Sequence, residues 1–533
     1  MVGAWRGLAL LARWGYLAIV AAAALSSAGL AQTLNVGIAL ETTSIDPHYH
    51  VYPSNLQIAH QIFDPLIRQD ETQRLLPGLA VSWRPIGDTL WEFKLREGVR
   101  FHDGSPFTAA DVAFSLDRSR RVPNAPTSFG IYTSQISEII VVDPYTVRLR
   151  TERPYPSMPS DLSAVVILSQ RAAANASSDD FNAGPAAIGT GPFRFVEWVR
   201  GAQLVLERND GYWGPKPAWE KVVFRPITQD SVRVAALISG ALDVINLVPP
   251  SALARLRASP DFTLAQAVSH RVVFLHPDSN RPSTPYAVDA KGAPLPANPF
   301  RDRRVRLALS KAIDRQALVE RVMEGSAVPA GQLLPDGYFG VSPRLKPEPY
   351  DPESARRLLA EAGYPDGFGL TLLASTDRVQ NASQLALAVA QMLTRVGVRT
   401  EVDLAPGAVV LTRRRAFDFS IYLWGWSSET GEVSSALRGL LVTPDRERGW
   451  GAANAGRYSS PALDAVLGRA LATLDDAKRQ MLLAEATELG IDDLGLIPIH
   501  FEVHNWGLRK GLAYTARTDG YTFAAEVRPE QRP

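Results

Sequence analysis

Residues 417–432 read Phe-Asp-Phe-Ser-Ile-Tyr-Leu-Trp-Gly-Trp-Ser-Ser-Glu-Thr-Gly-Glu, the densest set of groups in this chain able to grip a solute. Phe417, Phe419, Ile421 and Leu423 alternate with Asp418, Ser420, Tyr422 and Trp424, the period of a central strand. The strand runs out at Gly425-Trp426-Ser427-Ser428-Glu429. Sheets of α/β proteins bind ligands at the carboxyl ends of their strands. Glu429, Trp424, Trp426, Ser427 and Ser428 therefore form a candidate cleft wall. The competing readings are an exposed loop acid for Glu429 and core packing for the two tryptophans, whose rings suit either role. Arg378, in Ser375-Thr376-Asp377-Arg378, stands just ahead of a predicted helix over residues 381–395. A guanidinium can fork onto a carboxylate; a solvent-facing Arg or a partner for Asp377 is the alternative.

Other chemistry is sparsely represented. The chain has eight histidines and no cysteine, which excludes disulfides, thiolate metal sites and a cysteine nucleophile. His48 and His50 stand two apart and could share one side of an extended segment, but two histidines without further ligands do not make a transition-metal site. His500 and His504 read as structural. No Gly-x-Ser-x-Gly, His-Glu-x-x-His or Walker loop occurs. No cofactor or metal is implied, and a secreted hydrolase is supported by composition alone.

The elements that must position these residues alternate between strand and helix along the chain, which argues for α/β lobes. A strand is predicted over residues 34–40 and a helix over 54–63. In residues 89–116, Trp91, Phe93 and Leu95 alternate with Glu92, Lys94 and Arg96 as in a half-buried strand. Glu97-Gly98 ends that strand, and Thr108 with Asp111 three residues on opens a helix. Residues 146–150 alternate again, and residues 172–185 are rich in Ala, Ser, Asn and Asp and read as a surface loop. Residues 279–299 read as a linker or long loop. Asp302 caps a helix with Val305, Ala308, Leu309 and Ala312 on one face, its arginines a solvated face. A further helix starts at Asp351-Pro352 and stops before Gly363.

Several of these stretches resemble one family. Residues 94–104, Lys-Leu-Arg-Glu-Gly-Val-Arg-Phe-His-Asp-Gly, followed by Asp111-Val112-Ala113-Phe114-Ser115-Leu116, are similar to the signature of bacterial extracellular solute-binding proteins of family 5. Those are the oligopeptide, dipeptide and nickel receptors of ABC importers. Gly189-Thr190-Gly191-Pro192-Phe193, Asn209-Asp210-Gly211-Tyr212-Trp213 and the Asp302–Arg315 element match further family patterns, and the resemblance spans residues 33–525. It implies a two-lobed binding protein of the type II, cluster C-like kind, with an inserted subdomain and an interlobe cleft that closes by a hinge. The expected division is residues 32–68, 190–278 and 501–533 for lobe I, 69–189 for the insertion and 279–500 for lobe II. Peptide receptors of the family carry Gly-Trp-x-x-Asp where this chain has Gly425-Trp426-Ser427-Ser428-Glu429, and that Asp pairs with the peptide α-ammonium. Glu429 keeps the charge on a longer side chain. Dipeptide receptors place an Arg near Arg378 to bind the peptide carboxylate, with a register that differs here by a residue or two. The implied ligand is a peptide or peptide-like zwitterion, delivered without catalysis to ABC permease subunits. Nickel or another metal chelate, an opine or an oligosaccharide is the alternative.

Length and charge agree with that class. The 533 residues can bury more than one core, at 46% hydrophobic and 21% charged content. Arg6 and Arg13, the apolar run 14–25 and Gly29-Leu30-Ala31 read as a secretory signal cleaved after residue 31. Its removal takes two of the 56 basic residues and none of the 55 acidic ones, for a net charge of −1. That balance gives no reason to expect nucleic acid as a partner. With no cysteine to carry a lipid, the expectation is a freely diffusing periplasmic monomer of a Gram-negative bacterium, not embedded in the membrane.

Overall fold

A computed structural model of the protein describes residues 33–530. The signal reading lies outside the described residues. Among the described residues, no helix is long and apolar enough to cross a membrane.

Two long strands organise the molecule. Phe262–Pro277 and Ile497–Arg509 run antiparallel through the middle of a 12-stranded sheet. On one flank Ile497–Arg509 pairs with the short strand Val244–Ile245, which leads on to Thr33–Ile38, Lys221–Pro226, Gln203–Arg208 and Phe193–Val199. On the other flank Phe262–Pro277 pairs with Ile421–Ser427, followed by Phe368–Ser375 and Val398–Ala405. Apolar clusters cover both faces of this second flank: Ile421, Leu423, Val273 and Leu275 face the helices Arg303–Ala312 and Ala382–Arg395. Tyr422, Phe274 and Val272 face the helices Ser434–Leu440, Pro461–Ala470 and Asp476–Asp492. The first flank packs its own core around Leu34, Val36, Phe224 and Trp506.

A separate four-stranded antiparallel sheet, in the order Ala80–Gly87, Leu90–Leu95, Thr146–Thr151, Ile136–Asp143, builds a further core around Phe93, Val112 and Leu149. Its strand Leu90–Leu95 and helix Ala109–Arg118 fall where the alternation and the cap predict them. The Thr108 N–H donates to Asp111 Oδ2 at 2.9 Å, and Asp111 Oδ1 accepts from Gln170 N at 2.9 Å.

The short motifs turn out to be joints. His102 Nδ1 accepts from Gly189 N at 3.3 Å, and Nε2 faces Gly191 O at 3.1 Å, so the ring clamps the Gly189–Phe193 turn from both sides. A Cβ on Gly189 would lie 1.9 Å from Ile62 O, which is why only glycine fits there. The next residue reaches Asp64: Thr190 Oγ1 donates to Oδ2 at 2.9 Å, Trp213 Nε1 to Oδ2 at 2.8 Å and Tyr212 OH to Oδ1 at 3.2 Å. Two motifs far apart in sequence thus satisfy one buried carboxylate, whose pKa burial holds above the ordinary range against those donors and Arg68.

Four local expectations are corrected. Residues 172–185 are not a plain loop. Helices Gln170–Ala173 and Ser178–Ala183 form there, because Ser169 and Ser177 accept from the first-turn amides and Asp180 completes a capping box. Arg306 is buried rather than solvated: Nη1 donates to Phe300 O at 2.8 Å and Nη2 to Asp493 O at 2.7 Å, closing the ends of two neighbouring segments. Phe417 is not in the strand, which starts at Ile421; it has φ 57°, a left-handed turn. His48 and His50 sit in a turn. His48 Nε2 faces Val166 O at 2.9 Å in the interior, and His50 stands beside Thr43, so the two rings do not converge.

Replacing Asp64 by Leu removes the acceptor for three donors at once. Each orphaned buried donor costs about 1–3 kcal/mol, so urea unfolding should show a loss of roughly 3 kcal/mol or more. A loss below about 1 kcal/mol would mean that water replaces the carboxylate there.

Candidate functional site

The two long strands do not keep one register. Val268 pairs with Val503, but Val272 pairs with Phe501, so residues 269–271 bulge out of the ladder on that side, while Arg271 keeps its register opposite Ser427 on the other. A bulge re-aims side chains that strict alternation would otherwise send to fixed faces. Here it presents His270 and Arg271 beside the end of the strand Ile421–Ser427.

Arg271 is the central group. Its Nη1 donates to Ser427 Oγ at 3.1 Å, its Nη2 to the Arg378 carbonyl at 2.6 Å, and its Nε lies 3.4 Å from Glu502 Oε2. One guanidinium therefore holds Ser427 and Arg378 in one neighbourhood. Gly425 leaves room beside it: a Cβ there would lie 2.7 Å from the Arg271 guanidinium and push it aside. The Arg378 side chain itself is exposed. Asp377 Oδ1 accepts from Ser375 Oγ at 2.7 Å and Gly407 N at 2.8 Å, and the Ser375 hydroxyl, the Gly407 amide and the Arg378 charge together hold its pKa below the ordinary range.

Glu429 lies two residues beyond Ser427, with its side chain 27% exposed. Oε2 accepts from Tyr521 OH at 3.3 Å, and Oε1 lies 3.7 Å from His270 Nε2. His270 Nδ1 stands 2.8 Å from Gln73 Oε1, an oxygen that only accepts, so Nδ1 carries the proton and Nε2 becomes an ion-pair donor when the ring is charged. Gln73 Nε2 in turn donates to the Glu429 carbonyl at 3.1 Å. Burial works to raise the Glu429 pKa. His270, the Tyr521 hydroxyl and the Arg271 charge outweigh it, and the net shift is downward. Burial and the Glu429 charge hold the Tyr521 phenol well above its usual range, so it remains a donor. Tyr521 is placed by its backbone N–H, which donates to Asp519 Oδ1 at 2.9 Å, while Asp519 is locked to buried Arg517 at 2.7 Å.

The six residues singled out in sequence divide accordingly. Ser427 shares a face with Arg271. Trp424 and Trp426 point to the opposite face of the same strand, where Trp426 packs against Gly439. Ser428 is buried, its Oγ accepting from Ser435 at 3.3 Å. The sequence reading missed Gln73, His270, Arg271, Glu502 and Tyr521. The one local signal for this group was the polar run Ser269-His270-Arg271 inside an otherwise strand-like stretch.

What the arrangement can do is bind. A partly buried carboxylate with loose partners stands just past a strand end, within the field of the Arg271 guanidinium, at the crossing of two halves of one sheet. The class so defined is a two-lobed solute-binding protein. The family model for bacterial extracellular solute-binding proteins, family 5 (middle region) matches residues 74–446, and the chain belongs to that family. It is the solute-binding component of an ABC importer. The glutathione-binding protein GsiB of Pectobacterium atrosepticum is 30% identical over 490 residues, covering 89% of this chain and 90% of that one. HbpA2 of Haemophilus parasuis superposes with TM-score 0.81 at 24% identity, over 93% of this chain and 100% of that one. The periplasmic binding protein DppA of Helicobacter pylori, solved with the peptide STSA, gives TM-score 0.74 at 24% identity, over 94% and 98%.

Arg271 neutralises the buried carboxylate of Glu502, whose side chain is 7% exposed. Removing one partner of a buried pair costs about 3–5 kcal/mol. Arg271→Met should therefore lower the thermal midpoint by several degrees, and Arg271→Met with Glu502→Gln should recover most of that loss. Additive losses in the double variant would show that the two do not act as a pair.

Proposed function

We propose that this chain captures a peptide or peptide-like zwitterion between its two lobes in the periplasm, with glutathione as the first candidate. Glu429 takes the ligand α-ammonium. Arg378, steadied through its carbonyl by Arg271, takes the neighbouring α-carboxylate. Ser427, Ser428, Trp424 and Trp426 frame the strand end. The observation that carries this reading is Glu429: a carboxylate kept ionised, partly exposed, and held only by a 3.3 Å and a 3.7 Å contact. Such a group has lone pairs left for a cation. The relative that binds glutathione is in keeping with it, since glutathione is a peptide that carries an ammonium and a carboxylate on one carbon.

In this reading residues 32–68, 190–278 and 501–533 form lobe I, 69–189 the insertion and 279–500 lobe II, and ligand shifts the population toward the closed form. The closed monomer then docks on the permease. The mature chain begins after residue 31, carries no lipid and performs no turnover.

Two measurements test the assignment. Titration calorimetry on Glu429→Gln should show a loss of about 3–5 kcal/mol for a zwitterionic peptide such as glutathione, the cost of an uncompensated buried charge. Unchanged affinity would remove Glu429 from the site. The pH profile carries the sign of the Glu429 shift. A depressed carboxylate stays charged down to and below its ordinary value of 4.5, so affinity should hold from about pH 8 to pH 5 and fall only below that value. A fall that begins above pH 5 would remove Glu429 from control of binding.

A further inference from the structure

Glu432 carries a junction of its own. Its side chain is 2% exposed. Oε2 accepts from Arg479 Nη1 at 2.8 Å, and Oε1 accepts from the hydroxyls of Ser434 and Ser157, the latter at 3.0 Å. Arg479 lies on the helix Asp476–Asp492, its Cζ 4.4 Å from the centre of the Phe339 ring. Ser434 opens the helix Ser434–Leu440. Glu432, Arg479 and Ser434 therefore belong to one body, whose core is built around Tyr422, Leu437 and Leu483. Ser157 belongs to another, since its neighbour Met158 sits in the core around Phe93 and Leu149.

Ser157 is the informative member. It stands at the cap position of the helix Met158–Leu162, where a serine hydroxyl ordinarily accepts from a first-turn amide. Here it makes no such bond and donates across to Glu432 instead. The hydroxyl thus serves contact between bodies and not its own helix. The seam around it is open. A cavity of about 420 Å³ lies between Leu75, Trp83 and Ser160 on one side and Tyr338, Phe339 and Gln480 on the other. The two bodies meet there at a few polar points rather than through a packed apolar face. Gly431 marks another such point, since a Cβ on it would lie 2.9 Å from the Gln73 carbonyl oxygen. Polar contacts of this kind exchange with water when the bodies part, whereas a large apolar interface would hold them together.

We propose that Ser157 and the Glu432–Arg479 pair form a latch between the four-stranded subdomain and the second lobe, one that holds part of the protein closed without touching the ligand. The proposal rests on the lobe division given above. Opening leaves the ion pair intact, because both of its partners move together, and frees only the Ser157 hydroxyl, which water then meets. The latch is therefore weak enough to release, and it adds to whatever the ligand contributes. Its loss lowers the closed fraction, so apparent affinity falls by one factor for every ligand.

Pulsed electron paramagnetic resonance tests the latch without a ligand. The chain has no cysteine, so spin labels at Asp88→Cys and Glu353→Cys, exposed positions on the two bodies, report one interlobe distance. The ligand-free protein should show a closed component beside the open one. Ser157→Ala should lower the closed-to-open ratio about tenfold, the factor for one hydrogen bond to a charged group. Ser157→Thr, which keeps the hydroxyl, should restore the ratio. A parent protein with no closed component, or an unchanged ratio in Ser157→Ala, would overturn the latch. Calorimetry with glutathione then separates the latch from the ligand reading. Ser157→Ala should weaken binding about tenfold as well. An affinity loss with no change in the ligand-free ratio would make Ser157 a ligand contact and overturn the latch. No binding of glutathione by the parent protein would overturn the glutathione reading, while the ligand-free ratio still decides the latch.

Discussion

The antiparallel pairing of Phe262–Pro277 with Ile497–Arg509 is the constraint on which the rest depends. These two strands are shared by both halves of the sheet, so every contact between the halves is referred to their register. Because strand side chains alternate with period two, a continuous ladder would distribute residues 269–271 strictly between the two faces. The break in register between Val268 and Val272 releases them. His270 then turns to Glu429 and Gln73, while Arg271 turns to Ser427, Arg378 and Glu502. The site thus combines a defect in one ladder, at residues 269–271, with regular pairing of Arg271 and Ser427 in the next.

The residues that make the family recognisable serve the scaffold more than the site. His102 in Phe101-His102-Asp103-Gly104 holds a glycine turn against the end of the helix Pro53–Ile62. Thr190, Tyr212 and Trp213 converge on Asp64. These groups are buried and bonded to one another, and a change at any of them strands a polar partner in the interior. The cleft carries no such restraint. Glu429 in place of Asp alters reach without leaving a donor unsatisfied, so the ligand can drift while the joints stay fixed.

Legibility in the sequence follows the range of the interactions. The strand Leu90–Leu95, the helix Ala109–Arg118 with its capping box and the helix Arg303–Ala312 capped by Asp302 are decided within a few residues, and periodicity finds them. The helices at Gln170–Ala173 and Ser178–Ala183 escape because each is little more than one turn, too short for a period to register. Arg306 escapes because its burial is decided by the carbonyls of Phe300 and Asp493, the latter 187 positions away. The site shows both regimes. Glu429, Trp424 and Trp426 stand at the end of a readable strand. Gln73 and Tyr521 meet Glu429 from 356 and 92 residues off, and no local pattern announces them.

The contacts at Glu429 also bear on how binding and closure are joined. Gln73 reaches across from the segment that leads into the four-stranded sheet and binds both the Glu429 carbonyl and His270. Tyr521 arrives from the C-terminal segment, held there by the Arg517–Asp519 pair. Three separate stretches of chain therefore meet on the loop that carries the carboxylate. His270 stands on the strand paired with Ile421–Ser427, so it stays beside that carboxylate, whereas Tyr521 comes from outside that pairing. In the proposed reading, closure of the lobes strips the carboxylate further of water, and it then needs a cation. A ligand ammonium meets that need better than His270 at 3.7 Å, because it can approach to hydrogen-bond distance. Under that proposal, ligand binding at Glu429 and approach of the lobes are favoured by one another, and no signal has to travel between a binding site and a separate hinge.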